Sequence, residues 1–278
     1  MPFVKDGRIL IAKAFAEHYA MPSFNICSLE MAKACIEAAE KERAPIMLQT
    51  SPDDLKHGSP FVMSAMVKAL AEEAEVPIML HLDHGDSEAR VAQCIRAGYS
   101  SVMFDGEENP LEENVARTKR LAQIVHAAGA SLEAAAGSFG AGEGSSSNDV
   151  HLTDPEVAEA LITDGEADMV ACSVGSMHGQ SSHIDLKRLR SIAKAINKPI
   201  VFHGGTGIPK EDVAKAVKLG VVKLNIGAAL IRASLKAFNT ATSKTKWHYD
   251  IYKTVHDDCV AAARDKIRVA KANGRAES

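Results

Sequence analysis

Four short segments concentrate side chains able to do chemistry: His81-Leu82-Asp83-His84-Gly85, Ser176-Met177-His178-Gly179, His203-Gly204-Gly205-Thr206 and Asn225-Ile226-Gly227. Each follows an apolar run that reads as a strand, so the polar groups gather at strand ends. His84, His178 and His203 come from three such ends, and three imidazoles that leave a fourth position open describe a catalytic zinc site. Cobalt or iron would accept the same donors. His81 precedes His84 by three residues within the strand, so by the two-residue period its side chain faces elsewhere. His84 is therefore read as the ligand and His81 as a packing or supporting residue.

Asp83 adjoins His84. In a metal-charged pocket its carboxyl would be ionised and able to exchange a proton with a substrate hydroxyl; the alternative is that it orients a ligand imidazole. Gly179, Gly204, Gly205, Thr206 and Gly227 place open backbone and a hydroxyl beside the proposed ligands. Backbone N–H groups at a helix start bind anions, and barrels often hold phosphate after strands seven and eight.

The elements that must carry these groups alternate along the chain. Strand candidates lie at 22–27, 45–50, 77–83, 101–105, 131–136, 169–173, 199–203 and 221–225, as apolar runs suited to parallel strands buried on both faces. Between them, segments such as LEMAKACIEAAEKER and LKRLRSIAKAINK space apolar residues three and four apart, as helices with one buried stripe do. Eight such units with no break in composition predict one (β/α)₈ barrel over residues 1–278 rather than an open sheet. Residues 137–150, GSFGAGEGSSSNDV, are too rich in glycine and serine for a core element and predict a mobile loop after strand five. Beyond strand eight the chain reads as a helix, a polar break around SKTKWHYD and a last helix, a C-terminal extension that packs on the barrel or on a second subunit.

The 278 residues, 46% hydrophobic and 24% charged with a formal net charge of −4, offer no broad basic field for nucleic acid. No apolar run approaches membrane-spanning length and the N-terminus lacks a secretory pattern, so a cytoplasmic protein with a small-molecule partner is expected. Cys27, Cys35, Cys94, Cys172 and Cys259 form no CxxC pair and read as reduced thiols, Cys27 and Cys172 as small core residues despite lying at strand ends.

The segments FNICSLE, HLDHG, SVMFDG, LEAAAG with GEG, GSMHG, FHGGTGIP and GVVKLNIG resemble, in order and spacing, the class II fructose- and tagatose-bisphosphate aldolase family over most of residues 1–230. The resemblance implies a zinc enzyme, with a monovalent cation admitted in addition, that cleaves a ketose phosphate to dihydroxyacetone phosphate and an aldehyde. It implies that Asp83 handles the C4 hydroxyl proton, and that His84, His178 and His203 bind zinc. It further implies that Glu143, on the loop after strand five, exchanges the proton of the dihydroxyacetone phosphate carbon, and that Asn225 contacts the enediolate. Gly179, Thr206 and Gly227 match the phosphate cradle, with Gly204 beside them; Asn25, Ser51 and Asp105 match substrate-side positions. A homodimer or homotetramer is the expected assembly.

The chain departs from the family in places. Glu133-Ala134-Ala135-Ala136-Gly137 lacks the second glutamate of EAELG, and Ala228 stands where a hydroxyl often helps hold phosphate. Ser51 is followed by Pro52, Asp53 and Asp54 instead of glycines, and Asp105-Gly106 by Glu107. These added acids predict repulsion of a second phosphate on the aldehyde half. Two other functions compete: a metal-dependent isomerase or epimerase, which has no need to deprotonate a C4 hydroxyl, and a non-catalytic sugar-phosphate-binding barrel, which could dispense with Asp83 and Glu143.

Overall fold

The computed structural model describes residues 2–138, 151–176 and 183–276. Strands β1 (Met21–Asn25), β2 (Ile46–Thr50), β3 (Ile78–Gly85), β4 (Ser101–Phe104), β5 (Ser131–Ala136), β6 (Met169–Cys172), β7 (Ile200–Phe202) and β8 (Val221–Ile226) form a closed parallel barrel in sequence order. β1 pairs with β8, Ser23 opposite Asn225, so the sheet has no free edge and the open alternative is excluded. Every expected strand is present within two residues of its expected bounds. Their residues are buried almost throughout because one face meets the helices and the other fills the barrel.

An element that the strand-helix alternation does not announce closes the bottom of the barrel. Asp6 caps the helix Gly7–Glu17, its carboxylate accepting from the Arg8 N–H at 3.0 Å. Gly7 lies so near the strand starts that a Cβ there would come within 2.6 Å of both Ser100 O and Met79 Cε, which only glycine avoids.

At the other end of the chain, the helices Ala228–Lys244 and His248–Val269 form the expected extension, with a break narrower than the sequence suggests, at residues 245–247. The last helix packs on the helix Leu29–Glu42 of the same barrel. Glu42 receives Arg264 Nε at 2.8 Å and Arg268 Nη2 at 2.7 Å, fixing that contact. No helix among the described residues is long and apolar enough to cross a membrane.

Of the expected loop, residues 139–150, including Glu143, lie outside the described residues, as do residues 177–182 with His178 and Gly179. The loop's two feet are tied together: the Ser138 N–H donates to His151 O at 3.1 Å and the His151 N–H donates to Ser138 Oγ at 3.0 Å. The five cysteines are free, and burial raises the Cys27 and Cys172 thiols, in keeping with their reading as packing residues.

Candidate active site at the carboxyl ends of the strands

Strict alternation along β3 would send Asp83 and His84 to opposite faces. The β3–β4 register shifts between Leu82 and Gly85, and His84 adopts a left-handed φ of 51°, a conformation few non-glycine residues take. Both side chains consequently reach one point, where donor atoms of Asp83, His84 and His203 lie within 4.8 Å of one another. His81 stands apart, inside the barrel, with Nδ1 2.8 Å from Ser101 Oγ and Nε2 3.5 Å from Glu133 Oε2. The cause differs from the expected one: alternation puts His81 and Asp83 on one face, and the irregularity is what brings His84 round to Asp83.

Three amides hold the Asp83 carboxylate. Asn225 Nδ2 donates to Oδ1 at 2.8 Å, while Asn25 Nδ2 at 2.9 Å and Gln49 Nε2 at 3.1 Å donate to Oδ2. Gln49 is itself fixed, because its Oε1 accepts from Ser23 and its Nε2 also donates to Asn25 Oδ1. Burial alone would raise the Asp83 carboxyl; His84, His203 and Lys223 outweigh it and hold the group down at about 2. Burial works against a charged His84, but Asp83 and Asp105 push its imidazole up to about 9. This pocket favours a cation at His84.

His84 Nδ1 lies 2.6 Å from Asp105 Oδ2, which turns Nε2 toward His203 Nδ1 at 3.0 Å. Two imidazole nitrogens and a carboxylate, brought together from β3 and the end of β7 with an outer carboxylate orienting one ring, are a donor set that suits a zinc-class ion. Beneath them Glu133 accepts from Lys223 Nζ at 2.9 Å and lies 3.4 Å from His203 Nε2, all three side chains fully buried. Burial, with Lys223 next in effect, keeps His81 neutral beside this pair.

The family model described as fructose-bisphosphate aldolase class-II matches residues 5–275. The chain belongs to this family. A 6-phospho-5-dehydro-2-deoxy-D-gluconate aldolase of Bacillus velezensis is 40% identical over 223 residues, 78% of this chain and 77% of its own length. A protein named probable fructose-bisphosphate aldolase in Bacillus subtilis is 36% identical over 257 residues, 90% of each chain. Among solved structures, the YdjI aldolase from Escherichia coli K12 superposes with a TM-score of 0.87 at 27% identity, covering 97% of this chain and 98% of its own.

In this class II aldolase the other expected positions among the described residues lie at strand ends around the Asp83–His84–His203 cluster. On the β7–β8 side, Gly204 takes a φ of 70° and Thr206 Oγ1 accepts from the Ala229 N–H at 3.2 Å in the first turn of Ala228–Lys244. Gly227 precedes that turn, and a Cβ on it would press on Asn25 Oδ1 at 3.1 Å. Open backbone at a helix start is the setting an anion needs. Lys266, from the last helix, donates to Thr206 O at 3.3 Å, a cation near this turn that no motif announces. On the β2–β4 side stand Ser51 and Asp105. Gln49, Glu133 and Lys223 carried no expected role: Glu133 and Lys223 lie within the quoted segments LEAAAG and GVVKLNIG, and Gln49 shows only as a long polar side chain inside an apolar strand.

Proposed function

We propose that this aldolase reversibly splits a ketose phosphate into dihydroxyacetone phosphate and an aldehyde, with zinc held by His84, His203 and His178. The observation that carries the reading is the buried Asp83 carboxylate, held by three amide donors beside His84 and His203. A bound ion supplies a Lewis acid for the ketose carbonyl. Asp83 takes the C4 hydroxyl proton as the C3–C4 bond breaks: C4 leaves as the aldehyde carbon, and the bonding pair passes to C3. The three donors keep Asp83 aimed, and Asn225, bonded to it, is offered to the enediolate. Glu143, from the tied loop, then returns a proton to C3 and completes dihydroxyacetone phosphate. The turns at Gly204–Thr206 and Gly227 receive the phosphate.

Residues 1–278 are read as one catalytic domain. Free cysteines suit a reducing cytoplasm. Ile231, Leu235 and Phe238, exposed along one face of Ala228–Lys244, with Trp247, Tyr249 and Tyr252 exposed nearby in sequence, support association of like chains.

The test is metal analysis paired with a product assay. Purified protein is expected to carry one zinc per chain, to release dihydroxyacetone phosphate from ketose phosphates, to stop on chelation and to recover on zinc addition. Full activity in metal-free protein, or conversion of a ketose phosphate without cleavage, would overturn the reading.

A further inference from the structure

On the β2 side of the site the chain supplies its own anion. The Ser51 N–H and Ser51 Oγ both donate to Asp54 Oδ2 at 2.8 Å. The Asp54 N–H donates to Ser51 Oγ at 3.3 Å in return, at the start of the four-residue helix Asp54–His57. This exchange directs the donors of Ser51 to an internal carboxylate.

The β4 side is equally poor in free donors. A cavity of about 450 Å³ opens there between His84, Phe104, Asp105, Glu107, Glu108 and Arg117. Asp105 Oδ1 and Glu107 Oε2 are buried without a hydrogen-bond partner among the described residues. Arg117, the cation in this wall, is engaged elsewhere: it donates to Glu88 at 3.0 Å and to Asn109 at 3.1 Å, and its guanidinium lies 4.9 Å from the Phe104 ring centre. The wall thus presents acceptors in search of donors. A hydroxyl satisfies an orphan carboxylate oxygen; a phosphate or carboxylate adds a like charge.

Resting on the aldolase reading above, we propose that the substrate is a ketose 1-phosphate whose aldehyde half is uncharged and hydroxylated, and that Asp54, by occupying the donors of Ser51, excludes an anionic group from that end. Asp105 Oδ1 and Glu107 Oε2 accept the hydroxyls of the aldehyde half. The two ends of the site are then unlike: open backbone amides on the β7–β8 side, carboxylates on the β2–β4 side.

The test runs the reaction toward condensation, with dihydroxyacetone phosphate and either glyceraldehyde or glyceraldehyde 3-phosphate, each in both enantiomers, comparing kcat/KM for the two aldehydes. Wild type is expected to favour glyceraldehyde. Asp54→Ala should shift the ratio at least tenfold toward the phosphorylated aldehyde, and adding Ser51→Ala should remove that gain. Asp54→Asn, which keeps an acceptor for Ser51 but drops the charge, should shift it less and serves if the alanine variant fails to fold. A wild-type preference for glyceraldehyde 3-phosphate, or the same ratio in both Asp54 variants, overturns the proposal. Exchange of the dihydroxyacetone phosphate proton with solvent by wild type separates the two levels. Exchange with the wrong aldehyde preference sinks this proposal alone, whereas no exchange brings down the aldolase reading and this one with it.

Discussion

Asp105 Oδ2 lies 2.6 Å from His84 Nδ1, and this contact decides which nitrogen of His84 faces His203. With Nδ1 held by the carboxylate, Nε2 is the atom left to meet a metal, and the nearby negative charge makes the ring a better donor. Asp105→Ala is therefore expected to weaken zinc binding about 10–100-fold while leaving the barrel intact. Competition with a chromogenic chelator measures it; an unchanged affinity would confine Asp105 to the substrate side.

Asp83 shares the cluster with the two histidines, so its role must be separated from ligation. Asp83→Asn keeps the side chain's shape and an acceptor for the surrounding amides but cannot take a proton at C4. Cleavage should fall by a factor on the order of 10² to 10⁴ with zinc content retained. If the variant instead loses its zinc while staying folded, Asp83 is a ligand rather than the proton acceptor.

Glu143 is assigned to the proton on the dihydroxyacetone phosphate carbon, between loop feet joined at Ser138 and His151. Glu143→Gln should bind zinc and ketose as wild type does, yet slow exchange of that proton by on the order of 10²-fold or more. An unchanged exchange rate would move the base elsewhere.

Much of this arrangement is legible in the sequence. The strand ends were readable because each reactive segment follows an apolar run, and a parallel barrel gathers such ends on one face. Asn225, from the far end of the chain, meets Asp83 because β8 closes on β1, a contact that the sequence reading did not contain. The left-handed turn at His84 was not legible: alternation predicts the opposite face, and the irregularity depends on how β3 meets β4. Gln49 and Lys223 were hidden for a similar reason. Within IMLQT and VVKLN they look like ordinary strand residues, and their partners, Asp83 and Glu133, are distant in sequence. His178 and Glu143 lie outside the described residues and rest on the sequence alone.

The anchoring of the last helix predicts a pH dependence. Hydrogen bonding from Arg268 is the largest effect; it outweighs the cost of burial and, with Arg264 adding to it, holds the Glu42 carboxyl below its usual range. A lowered folded-state pKa gives stability that is fully present above the unfolded value and is lost as pH falls through the folded one. The loss therefore belongs below about pH 4.5, the ordinary glutamate range. Glu42→Gln should cost about 1 kcal/mol at neutral pH, modest because both arginines are partly solvated, and should flatten the acid limb of the stability curve. Urea titrations of both proteins between pH 3 and 7 check it; parallel curves would leave Glu42 without this role.

The ion pair inside the barrel should behave in the opposite way to a surface pair. Lys223 Nζ lies 2.9 Å from Glu133 Oε2, both side chains fully buried, and the remaining neighbours of Glu133 include His81 and His203. Lys223→Met would leave a carboxylate in the barrel with no fixed cation, which should cost about 3–5 kcal/mol, because a buried charge that loses its partner keeps its desolvation penalty. Removing both charges, as Lys223→Met with Glu133→Leu, should recover most of that stability, since apolar side chains of similar volume can replace a buried pair at little cost. Zinc affinity should fall in the double variant even as stability returns, because that variant lacks the carboxylate 3.4 Å from His203 Nε2 that helps orient the ring. Urea unfolding and chelator competition on the same three proteins separate the two effects. If the single variant costs under about 1 kcal/mol, the pair is not the charged core contact described; if the double variant binds zinc as wild type does, Glu133 supports the fold and not the ligand.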